Sequence, residues 1–336
     1  MAEKKKGFGY TKLPYRYVTL YKDGAWDAGC LSENENVVIN ESASVLQYAQ
    51  TCFEGMKAYK TKSGKAVIFR PDLNAERMEQ TCIRLKMPVI PQDKFIDAVK
   101  QVVKANVDYI PSYEEGGSLY IRPFMIGTSP VIPILPATEY QFRIYCSPVG
   151  YYFGGGVNAL KLQVSDYDRA APHGTGNIKA GLNYAMSLYV TMEAHEKGFD
   201  ENVYLDPATR TFIEETGGAN LLFVSKEGHL IVPKSDSILP SITRRSLVYI
   251  AQNYFNIGVE ERQVRLEDLA DFVECGMCGT AAVLSPVKMI SDHGKEYDFT
   301  VEEDGYGKIL GQLRKTLVGI QVGDIEAPEG WVVDID

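Results

Sequence analysis

The spacing of apolar and polar positions divides the chain into many short segments and a few longer ones. Strand-length runs occur at Asn36-Val37-Val38-Ile39 and Lys65-Ala66-Val67-Ile68-Phe69, with longer ones at 118–126 and 140–146. Rich in β-branched and aromatic residues, they predict strands. A helix is predicted from Pro71-Asp72 to about Leu85, with Asp72 as its N-cap and Leu73, Met78, Ile83 and Leu85 among its apolar residues. A second begins near Gln92-Asp93. There Phe95, Ala98, Val99, Val102, Val103 and Val107 fall at spacings of three and four and make one apolar face, which Pro111 ends. Pro123 predicts an edge or a bulge in the 118–126 strand.

Four glycines fall within Gly150–Gly156 and predict a loop or hinge. The expected organisation is therefore a small N-terminal domain over 1–147, a glycine-rich connection over 148–158 and a larger domain over 159–336. In the second half, strands are predicted near 160–165, 203–206, 211–214, 220–224, 230–232, 259–264 and 280–284. Helices are predicted over Asn183–Lys197, closed by Gly198, from about Ser241 to before Gly258, and over about 301–318. Strand–helix alternation is incomplete and several neighbouring strands look like hairpins. The class expected is mixed α/β of the α+β kind, not a doubly wound sheet.

Composition narrows the function. The 336 residues carry 35 Lys and Arg against 44 Asp and Glu, a net charge of −9, which repels a phosphate backbone and argues against nucleic acid as a partner. No run approaches the roughly 18 apolar residues of a membrane span, and MAEKKKGFGYTKLPYRY lacks the apolar core of a secretory leader, so a cytoplasmic location is expected. Six cysteines are too sparse for a disulfide scaffold, and four scattered histidines argue against a metal site. Cys275-Gly-Met-Cys278 reads as two reduced cysteines in a glycine-rich turn.

Common catalytic signatures are absent: no GxGxxG between strand and helix, no Walker loop, no GxSxG elbow. Lys179 remains, set among small residues in Gly176-Asn177-Ile178-Lys179-Ala180-Gly181 just before a helix. A lysine so placed can form a Schiff base, or it can be an ordinary exposed lysine. Leu239-Pro240-Ser241-Ile242-Thr243 leads into a helix whose first N–H groups can hold an anion. Arg70 and Thr280 can add a charged fork and a hydroxyl. Each also reads as an ion pair, helix cap or turn residue.

Eight segments in order resemble the branched-chain amino acid aminotransferases, pyridoxal-phosphate enzymes of fold type IV. They are Tyr48–Tyr59 (YAQTCFEGMKAY), Phe69–Asn74, Ser118–Pro123, Ser147–Phe153, Gly176–Tyr184, Glu215–Asn220, Ile238–Arg244 and Gly279–Ala282. The resemblance implies a small N-terminal α/β domain and a larger pseudo-barrel domain. It implies that Lys179 carries pyridoxal 5'-phosphate as a Schiff base and shuttles the Cα proton. Glu215 would face the pyridine nitrogen, Tyr184 the phenolic oxygen, and Arg70, Ile242, Thr243 and Thr280 the phosphate. Tyr48, Phe53, Tyr120 and Tyr152 would wall an apolar substrate pocket, Arg122 would pair with the distal carboxylate of glutamate or 2-oxoglutarate, and Thr280-Ala281 would take the α-carboxylate. It implies amino transfer between leucine, isoleucine or valine and 2-oxoglutarate, in a homodimer or higher homo-oligomer. D-amino acid aminotransferases and aminodeoxychorismate lyases share the fold and stay open as alternatives.

Overall fold

A computed structural model describes residues 7–150 and 158–335. The chain forms two compact units: Met1–Tyr152 with Ile178–Leu182 and Ile320–Asp336, and Phe153–Asn177 with Asn183–Gly319. One cut at the glycine-rich connection therefore does not describe the division. Cys52 bridges Ala180, and Val332–Asp334 pairs antiparallel with Ala66–Phe69, so two distant segments join the first unit by backbone hydrogen bonding. Residues 151–157, including Tyr152, lie outside the described residues.

The first unit is built on an antiparallel sheet. Its spatial order is Val332–Asp334, Ala66–Phe69, Met56–Lys60, Ser118–Gly127, Tyr140–Val149, Arg16–Lys22 and Ala25–Trp26. Thr51–Phe53 also pairs with Ser118–Gly127. The helices Pro71–Arg84 and Gln92–Ala105 close its core, the second with the apolar face its spacing predicts: Phe95, Ala98, Val99, Val102 and Val103 are all buried. Phe95 meets Phe142 of the sheet at 5.7 Å between ring centres.

Three expectations change here. Residues 36–39 form no strand, and Val38 is 89% exposed. Asp72 is not the N-cap. Arg70 holds that position with φ 47° and ψ 51°; Pro71 opens the helix after it, and the Trp331 carbonyl takes the Arg70 N–H at 2.8 Å. Pro123 stands inside the sheet, paired with Ile144 on one side. On its other side Thr51–Phe53 and Met56–Lys60 lie along one register, interrupted at Glu54 and Gly55. Opposite Glu54, Pro123 accepts from the Glu54 N–H at 2.7 Å but has no N–H to return. The proline thus breaks its neighbour, not its own strand.

The second unit is a closed ring of six strands: Asn220–Ser225, Phe272–Gly279, Val283–Asp292, Leu160–Val164, Glu201–Leu205 and Phe212–Thr216, which returns to the first through Glu215 and Asn220. Leu160, Leu162, Val203, Phe223, Phe272, Val287 and Ile290 fill its core, with Phe223 and Phe272 stacked at 4.9 Å. The expected strand at 280–284 is a correction: residues 280–282 form the turn between Phe272–Gly279 and Val283–Asp292. Cys275 and Cys278 are buried in Phe272–Gly279, not in a turn. Three residues apart on a strand, their side chains leave opposite faces. The last helix runs over Lys308–Val322 rather than 301–318, because Glu274 receives the N–H groups of Ile309 and Leu310 at 2.9 Å each and fixes where the helix starts.

Among the described residues no helix is long and apolar enough to cross a membrane, and no group of three His, Cys, Asp or Glu could hold a metal ion. Truncating Phe142, which is wholly buried against Phe95, is expected to cost about 3–5 kcal/mol in denaturant unfolding. A loss below about 1 kcal/mol for Phe142→Ala would mean that this core repacks freely.

Candidate active site

In the first unit the peptide of Lys179 is held from two sides. The Phe53 N–H donates to the Lys179 carbonyl at 3.2 Å, and the Lys179 N–H donates to the Thr81 hydroxyl at 3.1 Å. Strand Thr51–Phe53 and helix Pro71–Arg84 therefore share the work of placing one lysine. Its ammonium lies 4.7 Å from the centre of the Phe53 ring. The Arg122 guanidinium stands 4.6 Å from the same ring and 5.2 Å from that of Tyr120, and Arg122 Nη2 donates to the Tyr120 hydroxyl at 2.8 Å. Four expected residues thus come together: an amine, two aromatic walls and a cation. Gly55 is needed beside them, since a Cβ there would collide with the Tyr120 hydroxyl. Arg70 lies 4.3 Å from the Trp331 ring. Tyr48 ends the helix Ser44–Tyr48, is 41% exposed, and donates its hydroxyl to the Ile132 carbonyl.

In the second unit Glu215, on Phe212–Thr216, is buried. Its Oε1 accepts the Leu239 N–H at 2.9 Å and pairs with Arg169 Nη2 at 2.9 Å, while Oε2 accepts from Asn220 Nδ2 at 2.7 Å. Burial pushes the Glu215 carboxyl up from its ordinary range; the Arg169 charge and the Leu239 N–H draw it back. Arg169 also donates to the Ser237 carbonyl. Gly176 makes room for that contact, because a Cβ there would collide with the Ser237 oxygen and lie 2.6 Å from Arg169 Nη2. Such a carboxylate, buried but compensated, can accept from a protonated ring nitrogen.

Leu239 leads through Pro240 to Ser241, whose hydroxyl accepts from the Arg244 N–H at 3.2 Å and caps the helix Ile242–Phe255. Ile242 and Thr243 are its first two residues, so their N–H groups have no acceptor within the helix and carry its positive end. That end suits an anion. Asn220 pairs with Glu215 on one side and with Cys278 on the other, so the register brings the 280–282 turn to the same end of the sheet as the carboxylate. Thr280 and Ala281 are half-buried in that turn. Tyr184 is half-buried in the first turn of helix Gly181–Glu196. Burial pushes the Cys278 thiol up to about 12, so it stays protonated.

Residues 51–290 match the family model described as amino-transferase class IV. The chain belongs to this family. A curated relative, the branched-chain-amino-acid aminotransferase of Haemophilus influenzae, is 47% identical over 98% of this chain and 97% of its own length. The crystal structure of the Escherichia coli branched-chain amino acid aminotransferase matches with a TM-score of 0.81 at 27% identity, over 97% of this chain and 100% of that one. The branched-chain amino acid aminotransferase of Thermobaculum terrenum, solved in its PLP-form, shares the fold with a TM-score of 0.75 at 24% identity, over 95% of this chain and 98% of that one.

Sequence reasoning missed Arg169 and Asn220. The spacing of Glu215 and Asn220 around a four-residue turn is a hairpin pattern that puts them opposite each other, so Asn220 was within reach of the sequence. Nothing local marks Arg169, because its partners are residues 215 and 237. In this class IV aminotransferase, Arg169→Met removes the charge that lowers the Glu215 carboxyl, which then holds its proton to higher pH. The acidic limb of kcat against pH is expected to move upward. An unmoved limb would mean that Arg169 does not set the charge of Glu215.

Proposed function

We propose that this chain transfers the amino group of branched-chain L-amino acids (leucine, isoleucine and valine) reversibly to 2-oxoglutarate, in two half-reactions, with pyridoxal 5'-phosphate as its cofactor. The observation that carries the reading is Arg122 stacked on Phe53 beside Lys179. An apolar ring and a guanidinium at one amine suit an aliphatic side chain in one half-reaction and a distal carboxylate in the other. The names of the relatives support branched-chain amino acids as the amino donors.

The donor set fits the cofactor. Lys179 offers a primary amine, Glu215 a buried acceptor for a pyridinium N–H, Tyr184 a phenol for the ring oxygen. Arg70, Thr280 and the N–H groups of Ile242 and Thr243 offer cations and donors for a phosphate dianion. Asn220 Oδ1, next to Glu215, is a buried acceptor with no hydrogen-bond partner among the described residues, as expected where a polar group docks. When bound, pyridoxal phosphate supplies an electron-withdrawing ring that stabilises negative charge at the substrate Cα. The protein's residues do the rest. Lys179 Nζ would hold the cofactor, and its amine is the group that would take a proton from the substrate Cα. Glu215 would face the ring nitrogen, with the Arg169 charge opposing the upward push of burial on its carboxyl. Backbone N–H groups at Thr280-Ala281 would receive the α-carboxylate, while Phe53 and Tyr120 would exclude water from the side chain.

A cytoplasmic homodimer is part of the same reading. Helix Gly181–Glu196 exposes Met186, Leu188, Tyr189 and Met192 at 54–66%, and Tyr167 packs against Tyr189 at 5.6 Å. Exposed apolar side chains of this kind on one helix suit a second copy of the chain. Light scattering is expected to give twice the chain mass, and Met192→Glu with Tyr189→Glu to shift it towards the monomer; a monomeric parent protein would refute the homodimer.

The enzymatic reading is tested in one cuvette. Purified protein with pyridoxal phosphate is expected to show a visible band that leucine removes and 2-oxoglutarate restores, and Lys179→Ala is expected to lose both the cycle and turnover. A band indifferent to leucine would refute the substrate; no band would refute the roles of Lys179 and Glu215.

A further inference from the structure

Between Phe53, which carries the Lys179 and Arg122 contacts, and Gly55, which admits Tyr120, stands Glu54. Its side chain points the other way, into the core, and is wholly buried. Arg77 meets it with two bonds, Nε to Oε1 at 2.8 Å and Nη2 to Oε2 at 2.7 Å, the fork-on-carboxylate arrangement that fixes both partners in a plane. Asn74 adds a donor to Oε2 at 2.7 Å and another to the Gly55 carbonyl at 3.2 Å. Asn74 and Arg77 lie on the buried face of helix Pro71–Arg84. One turn on, the same face presents Thr81, which accepts the Lys179 N–H; one turn back, the helix begins at Arg70. The ion pair therefore ties together the strand and the helix that bond to the Lys179 peptide from its two sides, Thr51–Phe53 and Pro71–Arg84.

We propose that Glu54, clamped by Arg77 and Asn74, is a positioning residue: it sets the separation of strand and helix and so holds Lys179 where its amine reacts. A buried ion pair is a poor way to gain stability, since an apolar pair of similar volume does as well or better. What it adds is direction, because forked hydrogen bonds fix a register that apolar packing lets slide. The inference rests on the aminotransferase reading only for its kinetic arm.

The test compares Glu54→Gln and the double variant Glu54→Leu/Arg77→Met with the parent, as full chains. Melting temperature, kcat and KM for leucine, and backbone hydrogen exchange of segment 178–182 without added cofactor are measured. A positioning role gives a double variant that melts close to the parent, yet loses about 100-fold in kcat with KM changed less than about threefold. Exchange at Lys179 and Ala180 rises about tenfold or more. A folded double variant with parental kcat and parental exchange overturns the proposal and leaves the pair a matter of stability. Should the double variant not fold, Glu54→Gln, which keeps the side-chain volume, decides by the same two readouts. If the parent protein does not transaminate leucine, the functional reading falls, and exchange alone decides the clamp.

Discussion

The placement of Lys179 depends on two hydrogen bonds to its backbone, one on either side of its Cα. The Lys179 carbonyl is taken by the Phe53 N–H and the Lys179 N–H by the Thr81 hydroxyl. A lysine side chain has four rotatable bonds and is costly to order. Fixing its backbone on both sides anchors the Cα, so that only the side-chain torsions remain to be ordered. The same strand brings Phe53 under both Lys179 and Arg122, so the site's amine, wall and cation share one support. That is why a five-residue segment, Ile178–Leu182, belongs to the first unit although the chain on either side of it belongs to the second.

The second unit solves a different problem, a carboxylate buried away from water. Burial pushes the Glu215 carboxyl up. Arg169, the Leu239 N–H and Asn220 together return the donors that burial removed. The bond from Leu239 has a second effect: it fixes the segment leading into helix Ile242–Phe255, so the orientation of the carboxylate and the start of that helix are set together. Closing the six strands into a ring through Glu215 and Asn220 holds both on a rigid wall.

Much of this was legible in the chain. The apolar spacing of Gln92–Ala105 and the runs at 118–126 and 140–146 gave elements that fold where expected, since their periodicity is dictated by the face they bury. Errors fell where a distant residue decides a local matter. Glu274 sets the start of Lys308–Val322, Trp331 holds Arg70 at a helix cap that Asp72 would otherwise suit, and the break at Glu54-Gly55 comes from Pro123 on the neighbouring strand.

The sequence by itself determined the mixed class, the ionisable groups available for chemistry and the segments that resemble a known family, because those follow from residue type and short-range order. Only the tertiary structure decided which of those groups meet. Lys179 and Arg122 find the Phe53 ring from 126 and 69 positions away, Glu215 finds Arg169, and Glu54 finds Arg77. Such pairings are made by strand register and helix packing, and no local pattern encodes the partner of a buried charge. The cysteines at 275 and 278 show the same limit from the other side: close in sequence, they are separated by the pleat of the strand that carries them.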